Sequence, residues 1–173
     1  MFMKRFLIFV VIFLFGCGEN NFTNSNFMNL SSSAFENEGF IPSIYTCEGG
    51  GVNPPLSFVD LPEGVKSLVL ILDDPDAPGG TWDHWIVGGI DPANSLIGED
   101  SVPGAWMGKN SWGEAKYGGP CPPSGVHRYV FKLYALDILL EMGENDDKFD
   151  VENAMEGHIL DSAELIGLYQ KNF

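Results

Sequence analysis

Positive charge is scarce in this chain. Nine Lys and Arg stand against 24 Asp and Glu over 173 residues, a formal net charge of −15. No basic patch is therefore available to follow a nucleic-acid backbone or to hold an anionic membrane surface, and nucleic acid is excluded as a partner. Long apolar runs are lacking as well. The run from Phe6 to Phe15 is ten residues, about half of what a helix needs to cross a bilayer. No internal repeat is present, and the histidines number only three. There is no His-x-x-x-His pair of the kind that holds zinc on a helix, and no Gly-x-Ser-x-Gly around a nucleophile. Ser124 near His127 is the one pair suggestive of nucleophilic catalysis, and it lacks that context.

What the chain does contain is turn chemistry and apolar strands. With 21 Gly, 11 Pro and 13% aromatic residues, it reads as a loop-rich β protein of one domain. Residues 1–17 read as a targeting segment: Lys4 and Arg5, then the apolar run, then Leu14-Phe15-Gly16-Cys17. That pattern looks like a bacterial lipoprotein signal, with Cys17 as the lipid-bearing residue and the protein anchored on the periplasmic side of a cell envelope. Residues 18–33, rich in Asn and Ser, read as a flexible tether, and Asn21-Phe22-Thr23 within it matches a glycosylation acceptor. Residues 34–173 form the domain. Cleavage would remove Lys4 and Arg5 and leave seven basic against 24 acidic residues, a charge of −17. Cys47 and Cys121 then remain. They either pair, as an oxidising compartment favours, or stay as buried thiols.

The strongest strand signal is Ser67 to Leu72, an unbroken apolar run that suits a strand buried on both faces. It ends in Asp73-Asp74-Pro75-Asp76-Ala77-Pro78, where the prolines forbid further ladder pairing and stiffen the loop that carries the carboxylates. Further strands are expected around Asn29 to Phe35, Ser43 to Cys47, Leu56 to Val59, His84 to Ile90, Val130 to Ala135 and Ala163 to Gln170. Gly88-Gly89 in the middle of one of them predicts a bulge or a close backbone approach. Asp91 to Trp112 reads as a surface excursion with one strand at Ala105 to Lys109. Asp150 is expected to cap a helix from Val151 to about Leu160, with Ala154, Met155, Ile159 and Leu160 on its apolar face.

A second stiff loop, Tyr117 to Val126, holds Pro120, Pro122 and Pro123 and runs into His127-Arg128-Tyr129. If the two loops meet, Asp74, Asp76, His84, His127 and Tyr129 line one pocket, with Pro122 as an apolar wall. Imidazoles donate hydrogen bonds to anions, and neighbouring carboxylates orient them and favour their protonated form. Arg128 alternates with His127 and Tyr129, so it should face the other way and form an ion pair with one of the loop Asp residues. His158 is expected to play a core or helix-end role. Two His and two Asp also suit a divalent metal, which makes a metal-dependent hydrolase the rival reading.

Taken together, Asp74-Pro75-Asp76-Ala77-Pro78, His84-Trp85, Gly119-Pro120-Cys121-Pro122-Pro123 with His127-Arg128-Tyr129, Tyr45-Thr46-Cys47 with Asn53-Pro54-Pro55-Leu56-Ser57, and Met155-Glu156-Gly157-His158 with Ala163-Glu164-Leu165 are in register over roughly Ser33 to Tyr169. This arrangement resembles the phosphatidylethanolamine-binding protein family, in particular its bacterial Raf-kinase-inhibitor-like branch. The resemblance implies a mainly β sandwich with a peripheral C-terminal helix. It also implies a non-catalytic pocket for a small phosphorylated or other anionic ligand, built from Asp74, Asp76, His84, Pro122, His127 and Tyr129, with no cofactor and no bound metal. Bacterial relatives form homodimers, which extends that expectation to this chain. Eukaryotic relatives bind kinases and proteases, so a protein-inhibiting module is the alternative within the resemblance.

Overall fold

The computed structural model describes residues 27–172. The lipoprotein signal with Cys17, the acceptor pattern at Asn21 and most of the expected tether lie outside the described residues. The strands are β1 (Asn29–Ser31), β2 (Gly39–Phe40), β3 (Leu56–Val59), β4 (Ser67–Asp74), β5 (Trp82–Ile90), β6 (Leu96–Ile97), β7 (Trp106–Met107), β8 (His127–Leu136) and β9 (Ile159–Tyr169). One helix, α1 (Lys148–Met155), precedes β9. The strands form a six-stranded sheet in the order β2-β9-β8-β4-β5-β7 and a three-stranded sheet in the order β1-β3-β6. In the larger sheet only the two-residue β2 runs parallel to its neighbour. Among the described residues no helix is long and apolar enough to cross a membrane.

β4 is central because all eight of its residues are buried. Its alternation feeds two cores. Leu68, Leu70 and Leu72 face the small sheet and meet Leu30, Phe58, Trp85, Phe131 and Leu165, whereas Val69 and Ile71 face outward and are covered by Val151 and Met155 of α1. Each fully buried Leu contributes about 1.5–3 kcal/mol relative to exposure. The expected β-sandwich with a peripheral helix is thus the fold observed, and that helix seals the outer face of the large sheet.

Several expected elements differ. Ser43–Tyr45 is a turn of 3-10 helix rather than a strand, closed by the Tyr45 N–H on the Pro42 carbonyl and the Thr46 N–H on the Ser43 carbonyl. The first strand stops at Ser31, and the domain begins before residue 34: Met28 and Leu30 are core residues and β1 pairs with β3. The helix is capped by Asp147, not Asp150. Asp147 accepts from the Phe149 and Asp150 N–H groups while the Asp150 carboxylate reaches back to the Asp147 N–H, so Asp150 is the third residue of a capping box. Gly157 at φ +79 ends that helix. Ile159 and Leu160, expected on its apolar face, instead start β9, where Ile159 pairs with Leu136. The excursion after Asp91 holds β6 as well as β7.

β5 carries two irregularities. Gly89 is an extra residue at φ +65 between Val69↔Gly88 and Leu68↔Ile90, and a Cβ on Gly88 would lie 2.1 Å from the Trp106 ring. Bulge and close approach therefore both occur at Gly88-Gly89. The second shift falls between Leu72↔Trp85 and Asp73↔Asp83, leaving His84 unpaired. Strict alternation would place His84 on the outer face with Ile86; the bulge turns it inward beside Trp85 and sends Asp83 outward to Asp73.

Candidate anion site

The C-terminal end of β4 lies beside the N-terminal ends of β5 and β8, and polar residues there face both sides of the sheet. On the inner face stand Asp74, His84, His127 and Tyr129, all buried. His127 Nδ1 lies 2.7 Å from Asp74 Oδ2, and His84 Nδ1 lies 2.7 Å from the Gly118 carbonyl. The His84 ring packs edge-on against Tyr129 at 5.2 Å and against Trp112 at 4.9 Å, and Trp112 in turn meets Trp82 at 5.4 Å. Both tryptophans are substantially exposed and edge the site.

In each imidazole the Nδ1 is held by a protein acceptor. Neither Nε2 has a hydrogen-bond partner among the described residues. The Tyr129 hydroxyl is sealed and makes no hydrogen bond of acceptable geometry, although Asp74 and the Cys121 main chain are close enough to act on it. Burial, with the Asp74 charge added, pushes the Tyr129 phenol up. Burial pushes His84 down from its ordinary value, and the Gly118 carbonyl and nearby carboxylates offset only part of that. The expectation that neighbouring Asp residues favour the protonated form is therefore reversed at His84, where desolvation outweighs the charges.

Asp76 is not brought to the histidines as a partner. Its Oδ2 accepts from the Arg128 backbone N–H and from Nε, and its Oδ1 accepts from Nη2 at 2.7 Å. Those hydrogen bonds hold the Asp76 carboxyl down to about 2. The ion pair expected for Arg128 is thus formed with Asp76. Pro122 is buried in the loop, and Cys47 and Cys121 form a disulfide with Cα atoms 5.4 Å apart. His158 Nδ1 bonds Asp137 just beyond the helix. Among the described residues no group of three or more His, Cys, Asp or Glu is placed to share a metal ion.

The outer face of the same sheet end carries a separate charge cluster. Asp73 Oδ2 accepts from Lys132 at 2.8 Å and from Lys148 at 2.7 Å, and Lys148 lies 3.3 Å from Asp83. Consecutive residues, Asp73 and Asp74, thus serve opposite faces.

The sequence model for "Phosphatidylethanolamine-binding protein" matches residues 31–170. The chain belongs to the phosphatidylethanolamine-binding protein family. A UPF0098 protein of Methanothermobacter thermautotrophicus is 50% identical over 151 residues, covering 83% of this chain and 99% of the relative. The crystal structure of a putative homologue from Chlamydia trachomatis, CT736, superposes with a TM-score of 0.82 at 46% identity, covering 86% of this chain and all of that one. E. coli YbcL, a family member at 28% identity, superposes with a TM-score of 0.78 over 84% of this chain and 99% of its own. The family's sandwich is thus the frame on which Asp74, His84, His127 and Tyr129 are gathered.

Proposed function

We propose that this protein binds a small phosphorylated or other anionic ligand, without reacting with it, at the inner end of β4, β5 and β8. The observation that carries the reading is the pair of imidazoles, each fixed through Nδ1 and each with an Nε2 that no described residue engages. Two oriented ring nitrogens flanking Tyr129 suit two oxygens of one tetrahedral anion, because a protonated ring offers a charge-assisted hydrogen bond at each. The family's name, that of a binder of a phosphate-bearing headgroup, agrees with this chemistry. Titration calorimetry with dimethyl phosphate should give saturable binding, weakened about 5- to 30-fold by His127→Gln, as loss of one hydrogen bond of ~1–2 kcal/mol requires. Glu164→Gln, at an exposed position of β9, should change nothing. Binding unaffected by His127→Gln would remove the site assignment.

We also propose that the chain is lipid-anchored at Cys17 on the periplasmic side of a bacterial envelope. Lys4-Arg5, the ten-residue apolar run and Leu14-Phe15-Gly16-Cys17 motivate this. Labelled fatty acid should enter the wild-type protein and not Cys17→Ser; equal labelling of the two refutes the anchor.

A further inference from the structure

We propose that the Cys47–Cys121 disulfide is a redox latch on the anion site, a proposal that rests on the anion-binding reading above. The disulfide joins a loop with few main-chain hydrogen bonds to a segment that is firmly held, since Tyr45 is a core residue bonded to Glu99 and Thr46 is fully buried. From Gly119 to Val126, the loop that brings in Pro122 and leads to His127, the main chain makes a single hydrogen bond with the described residues: the Pro120 carbonyl accepts from the Cys47 N–H at 3.1 Å. Pro120, Pro122 and Pro123 have no N–H to contribute. Next to that one bond sits the disulfide itself, and just before the loop the Tyr117 hydroxyl donates to the Tyr45 carbonyl at 2.8 Å. Gly119 passes so close to Thr46 that a Cβ there would lie 2.9 Å from its main chain. The loop is therefore positioned on the Tyr45–Cys47 segment, and the disulfide is its only covalent tie to it.

The bridge is also reachable. Cys47 is exposed and Cys121 half-buried, and both line a cavity of about 350 Å³ together with Trp112, Tyr117, Gly118 and Gly119. Gly118 is the residue whose carbonyl holds His84, so this cavity and the anion site share a wall. A small or protein-borne dithiol entering here would attack one sulfur through its thiolate. Its second thiol would then resolve the mixed disulfide, so that two electrons and two protons pass to Cys47 and Cys121 and the dithiol leaves as its own disulfide. Reduction frees the eight residues 119–126 to sample conformations that the bridge forbids. Ordering them again on ligand binding lowers affinity, which is the converse of preorganisation.

The test is dimethyl phosphate titration of the full chain in three states: oxidised, treated with dithiothreitol, and reoxidised. Affinity about tenfold weaker after reduction and restored on reoxidation supports the latch, provided that a Cys47→Ala/Cys121→Ala variant sits at the weak level and ignores dithiothreitol. Near-ultraviolet circular dichroism must retain its core signal throughout. Its loss on reduction means a structural staple and overturns the latch. Equal affinities in oxidised and reduced protein also overturn it, while leaving the anion site standing. Failure of the oxidised protein to bind the probe at all sinks the anion-binding reading itself, and the latch with it.

Discussion

Replacing Asp73 with Leu should lower stability by about 3 kcal/mol. Asp73 is fully buried, and one of its oxygens holds both Lys132 and Lys148. Removing one partner of a buried ionic group leaves the others desolvated and unmatched, which costs about 3–5 kcal/mol. The lower end applies because the lysine side chains keep 25% and 17% exposure and can turn toward water, and because Lys148 retains Asp83. The companion change decides the cause. Adding Lys132→Met and Lys148→Met to Asp73→Leu should recover most of the loss, since an apolar replacement of the whole cluster is often neutral. Urea unfolding read by tryptophan fluorescence measures both. A loss under ~1 kcal/mol for Asp73→Leu, or no recovery in the triple variant, would show that the cluster does not hold α1 to the sheet. Dimethyl phosphate affinity should change little in the triple variant, because Asp73 faces the opposite side of the sheet from Asp74 and acts on His84 only as the weakest of the nearby charges.

The adjacency of Asp73 and Asp74 shows what the sequence could and could not convey. The apolar run before them marked β4, and the prolines after them marked its end, because composition and φ restriction act locally. That Arg128 faces away from His127 and Tyr129 was also legible, from alternation along a regular strand. The bulge that turns His84 inward was not legible, since a bulge is a property of the pairing with β4 and not of β5 alone. Asp76 looked equivalent to Asp74, and only the meeting of β8 with the loop shows that Arg128 takes both its oxygens. The Gly118 carbonyl that fixes His84 carries no residue-type signal at all. Trp112 lay in a stretch without periodicity, so nothing announced its contact with the His84 ring. The helix start was misread because Asp147 and Asp150 both suit a cap, and the capping box uses both. Its end was misread because Ile159 and Leu160 continued a helical spacing from Met155, whereas Gly157 breaks it and β8 offers Ile159 a partner.

Anion affinity should rise as pH falls through the ordinary histidine value of about 6.5, by at most tenfold per unit for each proton taken up. In the ligand-free protein, burial holds His84 below that value. Near neutrality its Nδ1–H donates to the Gly118 carbonyl, and Nε2 presents a lone pair. An incoming anion meets that lone pair unfavourably, whereas the protonated ring offers a second N–H and a charge. Binding must therefore take up a proton, and because burial holds the free His84 below 6.5, affinity keeps rising as pH falls through 6.5 toward that depressed value and levels off only below it. The sign for folding is the reverse. The unfolded chain, with an ordinary histidine, binds the proton first as pH falls, so the ligand-free protein loses this part of its stability on passing downward through 6.5 toward the depressed folded value. Dimethyl phosphate, a monoanion throughout, keeps the ligand's own ionisation out of the measurement. Calorimetry from pH 5.5 to 7.5, in buffers that differ in ionisation enthalpy, should show proton uptake approaching one per ligand near the top of the range. The double change His84→Ala with His127→Ala should lower affinity at least 100-fold, two charge-assisted hydrogen bonds of about 1.5 kcal/mol or more each, and should abolish the uptake. Affinity that stays flat with pH, or that survives the double change, would mean that the open Nε2 atoms are not where the anion binds.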